Sequence, residues 1–402
     1  MGDMVWQGPH GENLDLKPDA RVLGYGVTHI LDNSYNEIYT VTLNDKFQTA
    51  SGKRFDYYID GHEHYITPHN TMLVSEVNFT QTNTLHLEKG RPDMWVIYSL
   101  FYEIDIKTNT ILFKWDALEH IPIFKTRIDM KGGSKLTEAW DAYHINSVTL
   151  TKYGYLVNFR HIWSAFYVNK DGSVRWELSG DSDGGGDFKN DDVYFAWQHD
   201  IRVHNETDGS LILSLMNNDA LENRDKGPST GLVIYVDLVN KKVWRIHELT
   251  DPMDKVVSAT QGSFQFLPCP GTEHMLVGYG SIPKFKEYDR DGNVVLRGQF
   301  GNNAFEANAY RIFKFPWEAT PHWNLFFSSE TSTLQEGKPL LVHKRDGFET
   351  HVTLQNVNAK FIFAVARNHE KILGKSSIME YSVCFLHHAK ERLQDFDEVE
   401  YD

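Results

Sequence analysis

The stretch Phe101 to Trp115, FYEIDIKTNTILFKW, sets two β-rich runs on either side of a polar centre, Lys107 to Thr110. Apolar and polar positions alternate in both runs, the period of a half-buried strand, and a short polar centre closes an antiparallel hairpin. The same figure returns at Phe166 to Trp176 (FYVNKDGSVRW), Val233 to Trp244 (VIYVDLVNKKVW) and Phe285 to Leu296 (FKEYDRDGNVVL), with a weaker copy, LVHKRDGFETHVTL, from Leu341 to Leu354. The copies recur at roughly 50 to 70 residues, which suits four-stranded propeller blades and is too long for ankyrin or TPR helices. Long helical periodicity is absent, so the fold class is all-β.

The strand ends at Trp115, Trp176, Trp244 and near Arg297 lie about one repeat apart, while Val5-Trp6 to Trp115 spans about two. The count predicts a six-bladed β-propeller of mainly four-stranded antiparallel sheets. A propeller must close its ring, because an open edge leaves backbone donors and acceptors unpaired. The apolar run Ser376 to Leu386 (SSIMEYSVCFL) is therefore predicted to complete the first blade. Residues 1–394 read as one domain, and Asp395 to Asp402 as an acidic tail.

With 402 residues, a formal charge of −15 and no long basic run, the chain has neither a nucleic-acid footprint nor a patch for anionic membranes. Its expected partners are small molecules or proteins. No run of about 18 apolar residues occurs, so a soluble protein without a transmembrane segment is expected. The start, Met1 to Trp6, lacks the basic and apolar regions of a secretory signal. Sequons at Asn78 and Asn205, and two cysteines, Cys269 and Cys384, that either pair or stay buried thiols, point instead to a secretory history. Gly180 to Asp192 reads as a loop without the ligand order of an EF-hand, and Asn217 to Thr230 as another; either borders a substrate opening.

Chemistry concentrates in three segments where polar residues interrupt strand-like sequence: Asp60 to Pro68 with His62, Trp140 to Ser147 with His144 and Asn146, and Phe195 to Arg202 with His199. Arg160 ends the apolar strand after the second. On a strand, His144 and Asn146 share one face while Ile145 takes the other. Innermost propeller strands surround a central channel, so His62, His144, Asn146, Arg160 and His199 are expected to converge there. Trp140, Tyr143, Trp197 and Tyr279 are the aromatic candidates for substrate contact. A zinc ion on His62, His144 and His199 is the competing reading. Arg160 opposes a cation, so no metal and no cofactor is expected. Imidazoles, an amide and a guanidinium suit an anionic or polarised oxygen such as sulfate, phenolate or a tropolone-like carbonyl.

At these residues the sequence resembles the arylsulfotransferase family, and more closely its fungal members. The resemblance rests on D-x-H-E followed by I-T-P (Asp60 to Pro68), W-D-x-x-H-x-N-S (Trp140 to Ser147), Arg160, and F-x-W-Q-H-D-x-R (Phe195 to Arg202), with weaker matches at Gln261-Gly262, Gly278 to Gly280, Tyr310 to Lys314 and Trp317. The bacterial relatives imply a transiently sulfated histidine, here His199, with His62, His144, Asn146 and Arg160 holding the sulfuryl oxygens. The fungal members imply a second role, as hetero-Diels–Alder cyclases of secondary metabolism that join a tropolone-type o-quinone methide to a humulene-type sesquiterpene alkene. Aromatic composition, fungal character and the absent export signal favour cycloaddition by hydrogen bonding and positioning, whereas the intact polar set favours sulfate transfer. The cyclase is placed first and the aryl sulfotransferase second. A non-enzymatic protein-binding propeller is third, since it has no need of histidines in the channel.

Overall fold

The computed structural model describes residues 26–32, 36–43 and 59–315, except 182–185, 191, 222–223, 226, 268–272 and 304–306, together with short strands nearer both ends. Within 59–315 the chain makes four successive antiparallel meanders. The first sheet holds His64–Ile66, Thr71–Thr82, Met94–Asp105 and Ile111–Asp116. The second holds Ile145–Leu150, Gly154–Phe159, Ser164–Asn169 and Val174–Ser179. The third holds His199–His204, Ser210–Asn217, Thr230–Asp237 and Lys242–Leu249, and the fourth Ser263–Leu267, His274–Gly278, Lys284–Tyr288 and Val294–Gln299. The fold is all-β, as the repeats indicate, and no helix among the described residues is long and apolar enough to cross a membrane.

Each of the four repeats quoted between Phe101 and Leu296 is the hairpin between the third and fourth strands of a sheet. Its turn places Asn109, Gly172, Lys241 or Gly292 in the left-handed region, with φ of 56°, 90°, 54° and 84°. Glycine meets that demand without a Cβ clash and asparagine with little. An aspartate locks each turn: Asp105, Asp171, Asp237 and Asp289 accept main-chain N–H bonds from Thr108, Ser173, Asn240 and Asn293.

Strand alternation builds the core between sheets. Tyr155, Val157 and Phe159 point into one apolar cluster, with Phe101 and Trp115 of the first sheet. Leu156 points the other way, into a cluster with Leu213 and Ile234 of the third. The third sheet does the same, sending Val233 to a cluster with Phe264 and Val277 of the fourth. Successive sheets thus stack face to face, which is why so many strands carry apolar residues on both faces. The repeat tryptophans are not equivalent. Trp115 donates its indole N–H to the Gly172 carbonyl in the next sheet's turn at 2.9 Å, Trp176 is buried in the next core, and Trp244 is exposed and stacks on Tyr235.

The first strands of the four sheets lie together and are tied in order. Glu63 accepts the Val148 N–H, Ser147 Oγ the Ile201 N–H, Asp200 the Phe264 N–H, and Ser263 Oγ the Ile312 N–H. Arg311, which follows the fourth sheet, reaches back to the first: it pairs with Glu63 at 3.0 Å and Asp200 at 3.2 Å, and donates to the carbonyls of His62 and Asn146. Arg202 pairs with the same two acids at 2.8 and 2.6 Å.

The predicted closure by Ser376 to Leu386 falls mostly outside the described residues. Its described part, Met379–Glu380, pairs with Phe361–Asn368 rather than with an N-terminal strand. Val5-Trp6, Leu341 to Leu354, Cys269, Cys384 and the acidic tail also lie outside them. Arg311→Met is expected to destabilise the protein by about 3–5 kcal/mol, because it strips one cation from two buried carboxylates. Denaturant unfolding checks this, and an unchanged midpoint refutes it.

Candidate active site

The loops and strand starts at the inner ends of these sheets carry the predicted polar residues. His144 is not on a strand: its φ is 57°, and the strand begins at Ile145 with a register shift before Ser147. The expected alternation of His144 with Asn146 therefore does not hold. Main-chain bonds from Arg160 N–H to the His144 carbonyl and from His161 N–H to that of Tyr143 bring Arg160 beside His144. Trp197 and Asp200, both at φ 56°, flank the turn that presents His199.

His62, His144, His161 and His199 gather around Arg160 and Tyr310. The His62 and His144 rings meet edge to face at 4.9 Å, and those of His144 and His161 lie 4.6 Å apart. Tyr310 stands against His62 at 5.7 Å and His199 at 6.4 Å. Arg160 donates to His161 Nε2 at 2.8 Å and to the Ala259 carbonyl at 3.0 Å, and its guanidinium lies 5.4 Å from the Trp197 ring. His62 and His144 are the solvent-facing members, with side chains 22% and 25% exposed, whereas His199 is 3% exposed.

Every ring has a partner at Nδ1. His62 faces Asp60 Oδ2 at 2.5 Å, His144 faces Asp141 Oδ2 at 2.5 Å, His161 donates to the Asp141 carbonyl at 2.7 Å, and His199 lies 2.7 Å from Asn218 Oδ1. Burial opposes protonation of all four, but at His62 the Asp60 carboxylate reverses the balance and raises its pKa above 6.5. Burial likewise opposes ionisation of Asp60, yet the His62 charge and hydrogen bonds from His62 and Ser75 hold it at about 2. His199 is driven well below 6.5 by burial and then by the Arg160 charge, and His144 by burial, His62 and Arg160. Burial takes His161 down to about 3, and Asp141 upward.

The site departs from the sequence reading in two respects. Asn146 is fully buried, donates to the Gln198 carbonyl at 2.8 Å and accepts from Asn158 at 2.6 Å, so it braces two sheets rather than facing the opening. Of the four aromatic candidates only Trp197 joins the cluster. Trp140 and Tyr143 belong to the core between the first and second sheets, where the Tyr143 hydroxyl donates to the Ile121 carbonyl, and Tyr279 belongs to the core of the third and fourth, facing the Tyr288 hydroxyl. Sequence reasoning left out Asp60, Asp141, His161, Asn218 and Tyr310 as site members. The first two were detectable as acids two and three residues before a histidine. Asn218 carries no such local signal.

Asp141, His144 and His161 have donor atoms within 4.8 Å of one another. They do not fit a metal ion, because His161 uses Nδ1 on a carbonyl and Nε2 on the Arg160 guanidinium, whose charge repels a cation.

A family model described as arylsulfotransferase (ASST) matches residues 11–301, spanning all four sheets. The chain belongs to that family. Arylsulfotransferase motifs read from the sequence, D-x-H-E, W-D-x-x-H and Q-H-D-x-R, supply His62, His144 and His199 as well as the buried ion pairs of Glu63, Asp200 and Arg202. No curated protein matches the chain. Among solved structures it is similar to the dihydro-heme d1 dehydrogenase NirN, with 10% identity over 92% of this chain and 76% of that one and a TM-score of 0.25. It is also similar to a member of the duf4221 family from Bacteroides vulgatus, with 9% identity over 80% and 84% and a TM-score of 0.27. The third is the intramolecular trans-sialidase from Ruminococcus gnavus, with 10% identity over 92% and 70% and a TM-score of 0.25. These likenesses are too distant to carry an argument.

Asp60→Asn is expected to drop the His62 pKa below the ordinary histidine value, since burial then acts without the carboxylate. The Asp60 contribution to stability is present above pH 3.8 and lost as pH falls towards 2, and that of His62 is present below 6.5 and lost as pH rises through its raised value. NMR titration of the His62 ring in both proteins measures the change, and an unaltered midpoint counts against the pairing.

Proposed function

We propose that the protein is an aryl sulfotransferase that moves a sulfuryl group from an aryl sulfate to a phenol through His199. The observation that carries this reading is a buried imidazole kept neutral beside a guanidinium and two further histidines. A neutral imidazole is a nucleophile, and Arg160 supplies positive charge for sulfuryl oxygens. His199 Nε2 would attack sulfur while the sulfur–oxygen bond to the arene breaks, its electron pair leaving on the aryl oxygen. His62, whose pKa is raised by Asp60 and whose ring meets that of His144, would give that oxygen a proton. Attack by the acceptor phenol then returns the electron pair to Nε2, and the acceptor's proton restores His62. Atoms and charge balance over the cycle: aryl sulfate and phenol in, phenol and aryl sulfate out.

The cycloaddition placed first by sequence loses one of its supports. It needs an apolar wall to orient the alkene, and three of the four aromatics expected to form one belong instead to the cores between sheets. The family match is also to sulfotransferases. We further propose that the four sheets are blades of one six-bladed propeller domain spanning residues 1–394, with the histidines at its central opening. Small aromatic molecules are the proposed partners.

The test is incubation with an aryl sulfate donor and a phenol, followed by product analysis and intact-protein mass. Turnover and one added sulfuryl group are expected, both abolished in His199→Ala. Arg160→Met should slow transfer by roughly 100- to 1,000-fold, as loss of one oxyanion donor does. Cycloadduct formation from a quinone-methide precursor and a humulene-type alkene, with no sulfated protein, overturns the reading.

A further inference from the structure

The histidines of this site differ in what holds their Nδ1 atoms. His62 and His144 face carboxylates, which favour an imidazolium and at His62 outweigh burial, whereas His199 faces the side-chain amide of Asn218. An amide oxygen accepts an N–H without adding net charge, so it orients a ring and leaves it neutral. The amide itself has no freedom to turn. Asn218 Nδ2 donates to the Ser258 carbonyl at 2.8 Å and the Gln261 carbonyl at 3.0 Å, which engages both of its hydrogens and leaves only Oδ1 for His199. The Asn218 carbonyl accepts from Ser229 Oγ at 2.7 Å, and Ser229 Oγ accepts the Ser258 N–H at 2.9 Å, so the loop carrying Asn218 is braced to the segment it contacts. Asn218 is fully buried. A second contact agrees: the Gln261 main-chain N–H points at His199 Nε2 at 3.2 Å, a bond that only a bare lone pair accepts.

We propose that Asn218 is a positioning residue that locks His199 in the Nδ1–H tautomer and so presents the Nε2 lone pair as the nucleophile. The inference rests on the sulfotransferase reading for its function, though not for its geometry. When Nε2 takes the sulfuryl group, Nδ1 keeps its proton and the ring carries the positive charge, with Asn218 Oδ1 still accepting. No proton has to leave Nδ1 in either half of the cycle. The Gln261 N–H must yield Nε2 to the donor, and its length marks it as a weak competitor.

Long-range proton–nitrogen NMR of His199 in the full-length protein reads the tautomer without any turnover. The expected wild-type spectrum at neutral pH has a protonated Nδ1 and a bare Nε2. Asn218→Ala should mix the tautomers and lower kcat by roughly 10- to 1,000-fold with KM little changed. Asn218→Asp, nearly isosteric, should raise the His199 pKa and move the acidic limb of the rate profile to higher pH. An Nε2–H tautomer in the wild type overturns the proposal, as does an unshifted pH profile in Asn218→Asp. Nδ1–H with no sulfuryl transfer preserves this proposal and refutes the sulfotransferase, whereas transfer by an Nε2–H histidine does the reverse.

Discussion

Glu63, Asp200 and Arg311, all buried, and the partly buried Arg202 are two acids and two guanidinium groups gathered where the first strands of four sheets meet. Removing such charges from water costs several kcal/mol each, and the pairing offsets that cost only because each acid is shared and further satisfied by main-chain N–H groups of Val148 and Phe264. A geometry this demanding leaves the strands little room to slide. Three of the four charges are also chain neighbours of a site ring: His62 precedes Glu63, His199 precedes Asp200 and Tyr310 precedes Arg311. Fixing the charges therefore fixes the rings, and the site inherits its precision from a network that never needs to touch substrate.

Within that frame the electrostatics divide the histidines. Burial opposes the charged form of His144, His161 and His199, and Arg160, a permanent cation at the centre of the cluster, adds to it, so the three stay neutral. His62 escapes because Asp60 is ionised beside it. One site thus raises the pKa of one imidazole while lowering that of three others, a division of the kind the proposed transfer between two phenolic oxygens calls for.

Trp140 and Tyr143 come from the same short motif as His144, yet one motif serves two purposes. Their rings fill the gap between the first and second sheets, while His144, turned by its left-handed backbone, leaves that core for the histidine cluster. Trp197 goes the other way, lying under Arg160 and against Trp163 at 5.2 Å. The site is consequently richer in polar groups and poorer in apolar wall than its motifs suggest, which favours binding an anion over steering an alkene.

Period-2 alternation and Asp-, Asn- or Gly-bearing turns determined the all-β class and four hairpins from sequence alone, because both signals depend only on residues a few positions apart. The motif histidines and Arg160 were legible for a related reason: polar residues inside apolar strands need a purpose. Side-chain direction was not legible, since it depends on a positive φ at His144 and on bulges that alternation cannot foresee. Nor were the partners that set the chemistry. Asn218 meets His199 across 19 residues, and Arg311 meets Glu63 across 248. Contacts of that range come from the stacking of whole sheets, so only the tertiary structure decided which histidine has its pKa raised, which have theirs lowered, and what holds each in place.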